Sequence, residues 1–268
     1  MRPHLVPDRD PMRPVLARGV GGPLVLLACL IGAPGCLDDP NGGAPAIPDP
    51  HARDEAPELP VYEAVVEGIE RARLSCSADY DLCSSDAERA AVLERAGATV
   101  VGAVADGLFP QWYETPWNFY GTTETPRQGS IACGYFVSTI LRDAGFRVER
   151  ERLAQQASEL IIKTLTSERY IKRFSDVPLA SFVEAIREWG PGLYVVGLDI
   201  HTGFMLLDGE EVWFVHSSYV QPAHVVKEAA ASSIILGQSR YRVAGRISAD
   251  HELMLKWLKG QALPTRGR

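Results

Sequence analysis

The sequence predicts an α+β fold in which a helix with a cysteine in its first turn packs on an antiparallel sheet, behind a small helical addition. Three observations predict it. Apolar residues recur at helical spacing along 61–74 and 85–100, and again along 130–144, where Cys133, Phe136, Val137, Ile140, Leu141 and Ala144 form one stripe. Beyond residue 192 the pattern changes to short β-favouring runs at 193–207, 211–215 and 241–247. Between the first two runs, Leu207-Asp208-Gly209-Glu210 signals a two-residue hairpin turn.

With 268 residues and 46% hydrophobic composition, the chain can bury one sizeable core. Net charge is −7 and the basic residues are scattered, so nucleic acid is not an expected partner. Residues 1–36 read as a targeting segment. Arg13 and Arg18 precede the apolar run 23–31, which is too short to span a bilayer as a stable helix, and Met12 is an alternative start. The run ends in Ile31-Gly32-Ala33-Pro34-Gly35-Cys36, which resembles the lipobox of bacterial lipoproteins. That resemblance implies cleavage, a lipid on Cys36, and anchoring to a membrane on its periplasmic or outer side. An ordinary secretory protein is the alternative. Residues 37–60, rich in Pro, Gly and Asp, cannot build a core and read as a flexible tether.

Residues 61–108 read as a helical subdomain. Val61, Ala64, Val65 and Ile69 share a face, and Ser85-Asp86-Ala87-Glu88 has capping-box spacing ahead of Val92, Leu93 and Val100. Between these helices Cys76 and Cys83 could close a short disulfide loop in an oxidising compartment. Of the five cysteines, Cys29 leaves with the leader and Cys36 would carry lipid, so Cys133 is left over unless it pairs with Cys76 or Cys83. Residues 112–121 hold Trp112, Tyr113, Trp117, Phe119 and Tyr120, either as core cover or as a cleft wall.

In the central helix Ser130 is the expected N-cap and Gly145 the terminator, which puts Cys133 near the third helical position. Unpaired N–H groups and the helix dipole there lower a thiol's pKa; the bland alternative is an inert buried cysteine. Further helices are expected at 153–165, at 182–189 between Pro178 and Gly190-Pro191, at 225–231 and at 251–258. If Asp208-Gly209 is the whole loop, Leu207 pairs with Glu210, and His201 falls directly opposite His216. His224 and His251 have no such pattern and read as solvated or incidental.

A cysteine nucleophile needs a base and a group to orient that base. Cys133 supplies the first, His201 the base and acid, His216 the orienting partner, and the backbone N–H of Cys133 an oxyanion donor. In order, Tyr120-Gly121, Ile131-Ala132-Cys133-Gly134-Tyr135-Phe136-Val137, His201-Thr202-Gly203-Phe204, Asp208-Gly209 and Val215-His216-Ser217 resemble the NlpC-type cell-wall peptidases, a branch of the papain-like cysteine peptidases. Ala132 stands where that family usually has Asp, and Gly134-Tyr135 where it has Ser-Gly. The resemblance covers roughly 117–247 and implies a papain-like domain over 109–260. It also implies an oxyanion role for Tyr120, peptidoglycan stem peptides as substrate, and no cofactor. Competing readings are a thiol amidase or acyltransferase on another substrate, a zinc site of Cys133, His201 and His216, and a non-catalytic envelope-binding lipoprotein.

Overall fold

A computed structural model describes residues 61–265; the leader, Cys36 and the tether lie outside the described residues. The described residues open with α1 (Tyr62–Leu82) and α2 (Asp86–Gly102), and a π-helical turn then runs into α3 (Phe109–Trp112). Next come α4 (Cys133–Asp143), β1 (Arg147–Val148), α5 (Arg150–Ala154), α6 (Ser158–Leu165), β2 (Ile171–Ser175) and α7 (Leu179–Trp189). The second half holds β3 (Gly192–Leu198), β4 (Thr202–Asp208), β5 (Glu211–Ser217), β6 (Val225–Ala229) and α8 (Ile234–Gln238). It closes with β7 (Tyr241–Arg246), α9 (His251–Leu258) and β8 (Ala262–Leu263). Six strands form one antiparallel sheet in the order β2-β7-β3-β4-β5-β6, and β1 and β8 make a small parallel pair. The α+β class with an antiparallel sheet is as expected.

Each face of the sheet has its own apolar layer. Phe204, Leu206 and Val215 meet Phe136 and Ile140 of α4 on one side; Met205, Leu207 and Phe214 meet Phe182 and Ile186 of α7 on the other. Alone, a helix of 11 residues like α4 is marginal in water. Burying Phe136, Val137, Ile140 and Leu141, each at about 1.5–3 kcal/mol, holds it in place. Its end is a Schellman motif: Phe146 N–H donates to Leu141 O and Gly145 N–H to Arg142 O, with Gly145 at φ 92°. The helices of 61–108 share this core through Ile69, Val92 and Val100, and the capping box Ser85/Glu88 forms.

Several expectations are corrected. Helix α1 does not stop at residue 74 but continues to Leu82, so no loop joins Cys76 to Cys83, and both are free thiols. Seven residues of helix advance about 10 Å, beyond the roughly 7 Å that a disulfide spans. Ser130 does not cap α4, which begins at Cys133 after Ala132. Ile131 bridges to Trp117 and Thr122, and Ala132 N–H donates to Gly121 O, which keeps 130–132 extended. The run 153–165 breaks into α5 and α6, and 193–207 is two strands joined at Asp199-Ile200. Residues 225–229, expected as helix, are β6, because pairing with β5 overrides local helix propensity. The hairpin turn is displaced by one residue: Asp208 pairs with Glu211 and Leu207 with Val212, leaving Gly209-Glu210 as the loop. Gly209, at φ 62°, takes the first central position, where a type II′ turn needs glycine.

Candidate active site

Three elements converge on Cys133. As the first residue of α4 it lies among first-turn N–H groups that have no carbonyl within the helix. Its sulfur takes the backbone N–H of Thr202 as well as those of Gly134 and of Cys133 itself, so it rests against the His201–Thr202 peptide at the start of β4. Ser217 Oγ donates to Ile131 O at 2.7 Å and so ties β5 to the approach to α4. Arg150 braces the other side, with Nε on Thr139 Oγ1 at 2.7 Å and Nη2 on Thr122 O and Thr123 O at 2.9 Å.

The helix start does not lower the thiol's pKa as expected. Burial pushes it above its ordinary value, and the three N–H groups pull back without prevailing. His201 and His216 are buried in turn. Burial and the neighbouring His216 hold the pKa of His201 well below 6.5; burial also lowers that of His216, against the pull of Glu228. The resting pair is therefore a neutral thiol and a neutral imidazole.

The two imidazoles meet, although not by direct opposition. With the turn displaced, the register puts Gly203 opposite His216, and His201 lies on the diagonal. A Cβ on Gly203 would come within 2.7 Å of His216 Cβ, so glycine there admits the close approach. His201 Nε2 and His216 Nδ1 are 2.9 Å apart, with the rings nearly perpendicular. One strand further, His216 Nε2 lies 3.1 Å from Glu228 Oε1, which also accepts from Ser233 Oγ at 2.5 Å. Burial opposes the ionised Glu228, but these two hydrogen bonds outweigh it and its pKa falls below the ordinary value.

The chain of contacts fixes where the protons sit. A carboxylate only accepts, so His216 carries its proton on Nε2. Its Nδ1 is then an acceptor, and His201 must donate from Nε2. That leaves a lone pair on His201 Nδ1, the form a base needs to take a proton from a thiol. Among the described residues no hydrogen bond joins Nδ1 to the sulfur, although His201 and Cys133 line the same cleft. Two ring nitrogens aimed at each other cannot both point at a metal, and among the described residues no three His, Cys, Asp or Glu side chains are arranged to hold one.

Cys133 and His201 line a cleft of about 620 Å³ walled by Trp117, Phe119, Tyr135, Ile200 and Tyr219. A smaller one of about 250 Å³ opens from the same two residues toward Gln156, Ser158 and Asp199. The aromatic segment therefore divides: Trp112 is core, Trp117 and Phe119 are wall. Tyr120 is not brought to the site. It sits at the tip of a turn closed by Gly121 N–H on Asn118 O, and its side chain is 84% exposed. The tyrosine beside His201 is Tyr219, ring to ring at 5.3 Å, and the neighbouring Cys133 helps burial raise its pKa. Sequence reasoning missed Tyr219 and Glu228; the β-branched pair Val225-Val226 is the signal that could have exposed the strand carrying Glu228. Nor is His224 fully solvated, since its Nδ1 is buried and has no hydrogen-bond partner among the described residues.

No family model, no curated protein and no solved structure matches the chain. Its function has to be argued from the site.

Proposed function

We propose that this protein is a cysteine hydrolase of the NlpC-like, papain-like kind, exported and lipid-anchored through Cys36, that cleaves amide bonds in peptidoglycan stem peptides. The observation that supports the chemistry is the line His201–His216–Glu228, which leaves His201 Nδ1 with a free lone pair, together with the cleft that His201 and Cys133 both line. Residue order, leader and tether carry the substrate and the location. Among the described residues no helix is long and apolar enough to cross a membrane, so in this reading the lipid on Cys36 is the anchor.

In the attack step the Cys133 proton moves to His201 Nδ1 as sulfur bonds to the carbonyl carbon. The carbonyl oxygen gains the negative charge and is met by the N–H groups at the start of α4. The imidazolium is steadied through His216 to the Glu228 carboxylate. Collapse breaks the C–N bond; the amine leaves with the proton from Nδ1, and a thioester remains on Cys133. Water then attacks the thioester carbon and gives one proton to Nδ1; the C–S bond breaks, Nδ1 returns that proton to the departing sulfur, and a carboxylic acid and the free thiol are released.

Purified wall fragments incubated with the wild-type protein should lose intact stem peptides, while the Cys133→Ser protein leaves them whole. Equal persistence in both samples would reject the substrate. The second reading, a thiol amidase or acyl hydrolase on another substrate, is favoured by the uncharged wall of the larger cleft.

A further inference from the structure

The residues around the larger cleft are Trp117, Phe119, Tyr135, Ile200 and Tyr219, with Ala132, Gly134, Ala154 and Gln155 beside Cys133 and His201. None of them is Lys, Arg, Asp or Glu. A carboxylate placed there would lose water and find no cation in the wall, since Arg150, 5.0 Å from the centre of the Tyr135 ring, is held by Thr139, Thr122 and Thr123, whereas an apolar group would lose only its exposure. The volume of about 620 Å³ is that of a site for a ligand far larger than a methyl group. A separate observation concerns the mouth. Few large apolar side chains are exposed among the described residues, and three of them, Phe119 at 71%, Tyr120 at 84% and Ile200 at 81%, lie on the two loops that border this cleft. Phe119 and Ile200 line this cleft and form its apolar lip; the Tyr120 ring, which does not line it, packs edge to face on Phe119 at 5.1 Å. The smaller cleft is unlike it, with Gln156, Ser158 and Asp199 in its wall.

We infer that the larger cleft receives an uncharged, apolar acyl or aromatic group of the substrate, adjoining the bond that Cys133 attacks, and turns carboxylates away. The inference rests on the thiol-hydrolase reading for the bond, but not on the wall as substrate. Within a stem peptide it selects a bond flanked by uncharged residues over one beside a free carboxylate. Outside the wall it selects amides of apolar acids.

Binding to the Cys133→Ala protein, followed by NMR titration, tests the cleft apart from catalysis. The probes are octanamide, N-acetylphenylalaninamide, N-acetylglutaminamide and the α-amide of N-acetylglutamate. At least one of the first two should bind tenfold or more tighter than the glutamate amide, and which of them leads tells a straight chain from a ring. The glutaminamide, matched in shape to the glutamate probe, should bind tighter than its charged counterpart. Phe119→Glu, at an exposed lip that folding does not depend on, should reduce the apolar preference severalfold, and Trp117→Ala should weaken the apolar probes. The inference is overturned if the glutamate amide binds as well as the apolar probes, or if none binds. Tight apolar binding with no hydrolysis of those amides by the wild-type protein would leave the cleft assignment standing and reject the thiol chemistry.

Discussion

The middle of α1 and the start of α4 each hold a cysteine, and they differ in nearly everything else. Cys76 lies in the fifteenth residue of a 21-residue helix, where the surrounding N–H groups are spent on the helix itself. Its sulfur is buried, 4.0 Å from Thr99 Oγ1, and it lines no cleft described above. Cys133 is the first residue of its helix, among N–H groups that have no carbonyl within the helix and turn to its sulfur, and it opens onto two clefts. Yet burial raises its pKa even there, so a helix start alone does not make a reactive thiol. What separates the two cysteines is an imidazole lining the same cleft as Cys133, whose tautomer is set from two strands away.

Substitution of the sulfur itself should break the comparison most sharply. Cys133→Ser should lower kcat/KM by about 10³-fold or more. Cys76→Ala should leave catalysis intact and cost about 1 kcal/mol of stability, read from the urea midpoint. Next comes the relay. Glu228→Leu frees the tautomer of His216 and should cost part of the roughly 10²–10⁴-fold that a general base contributes, in kcat and not in KM. Glu228→Gln keeps an acceptor and should restore much of it; equal loss in both variants would mean that Glu228 serves only to hold β6. A smaller difference, about tenfold, is expected in iodoacetamide labelling at neutral pH, with Cys133 ahead of Cys76 and the lead lost in His201→Ala. Matching rates in the wild type would make Cys133 as inert as Cys76.

The dependence on pH sharpens the same contrast. Because the pKa of His201 is lowered in the fold, it stays neutral as pH falls through 6.5, and the acid limb of kcat/KM should lie below that value. An acid limb above pH 6.5 would contradict the buried neutral base. Stability follows the opposite partner: below pH 6.5 the unfolded chain protonates His201 and His216 while the folded chain does not. Folding stability should therefore drop with falling pH, at up to about 1.4 kcal/mol per unit per histidine. His201→Gln should flatten that slope, as followed by urea midpoints between pH 7 and 5.

Much of the frame was legible. The stripe from Phe136 to Leu141, the stop at Gly145, the capping box at Ser85 and the helix ending at Gly190 all appear, because each rests on contacts within a few residues. The meeting of His201 and His216 was also readable, for a reason that survives the error in it. Moving the turn by one residue shifts the pairing by two, and an even shift keeps every side chain on its face. Direct opposition became a diagonal, which two imidazoles can bridge. Glu228 is not legible in the sequence, because 225–231 has a local helical pattern while in the fold 225–229 pairs with β5 as β6 and brings Glu228 to His216. Tyr120 was assigned by distance along the chain, and a turn at Asn118–Gly121 sends its side chain outward.

By itself, the sequence determined the α+β class, the stripe of α4, the stops at Gly145 and Gly190, the capping box at Ser85, and that one thiol is set at the head of a helix, since apolar period, caps and turn residues act over a few positions. Tertiary structure alone decided that Glu228 steers His216, that Tyr219 and not Tyr120 stands by His201, and that the cleft is apolar. Those depend on how loops 113–132 and 217–224 fold back over β5, and on desolvation, a property of everything packed around a group and of no residue in isolation.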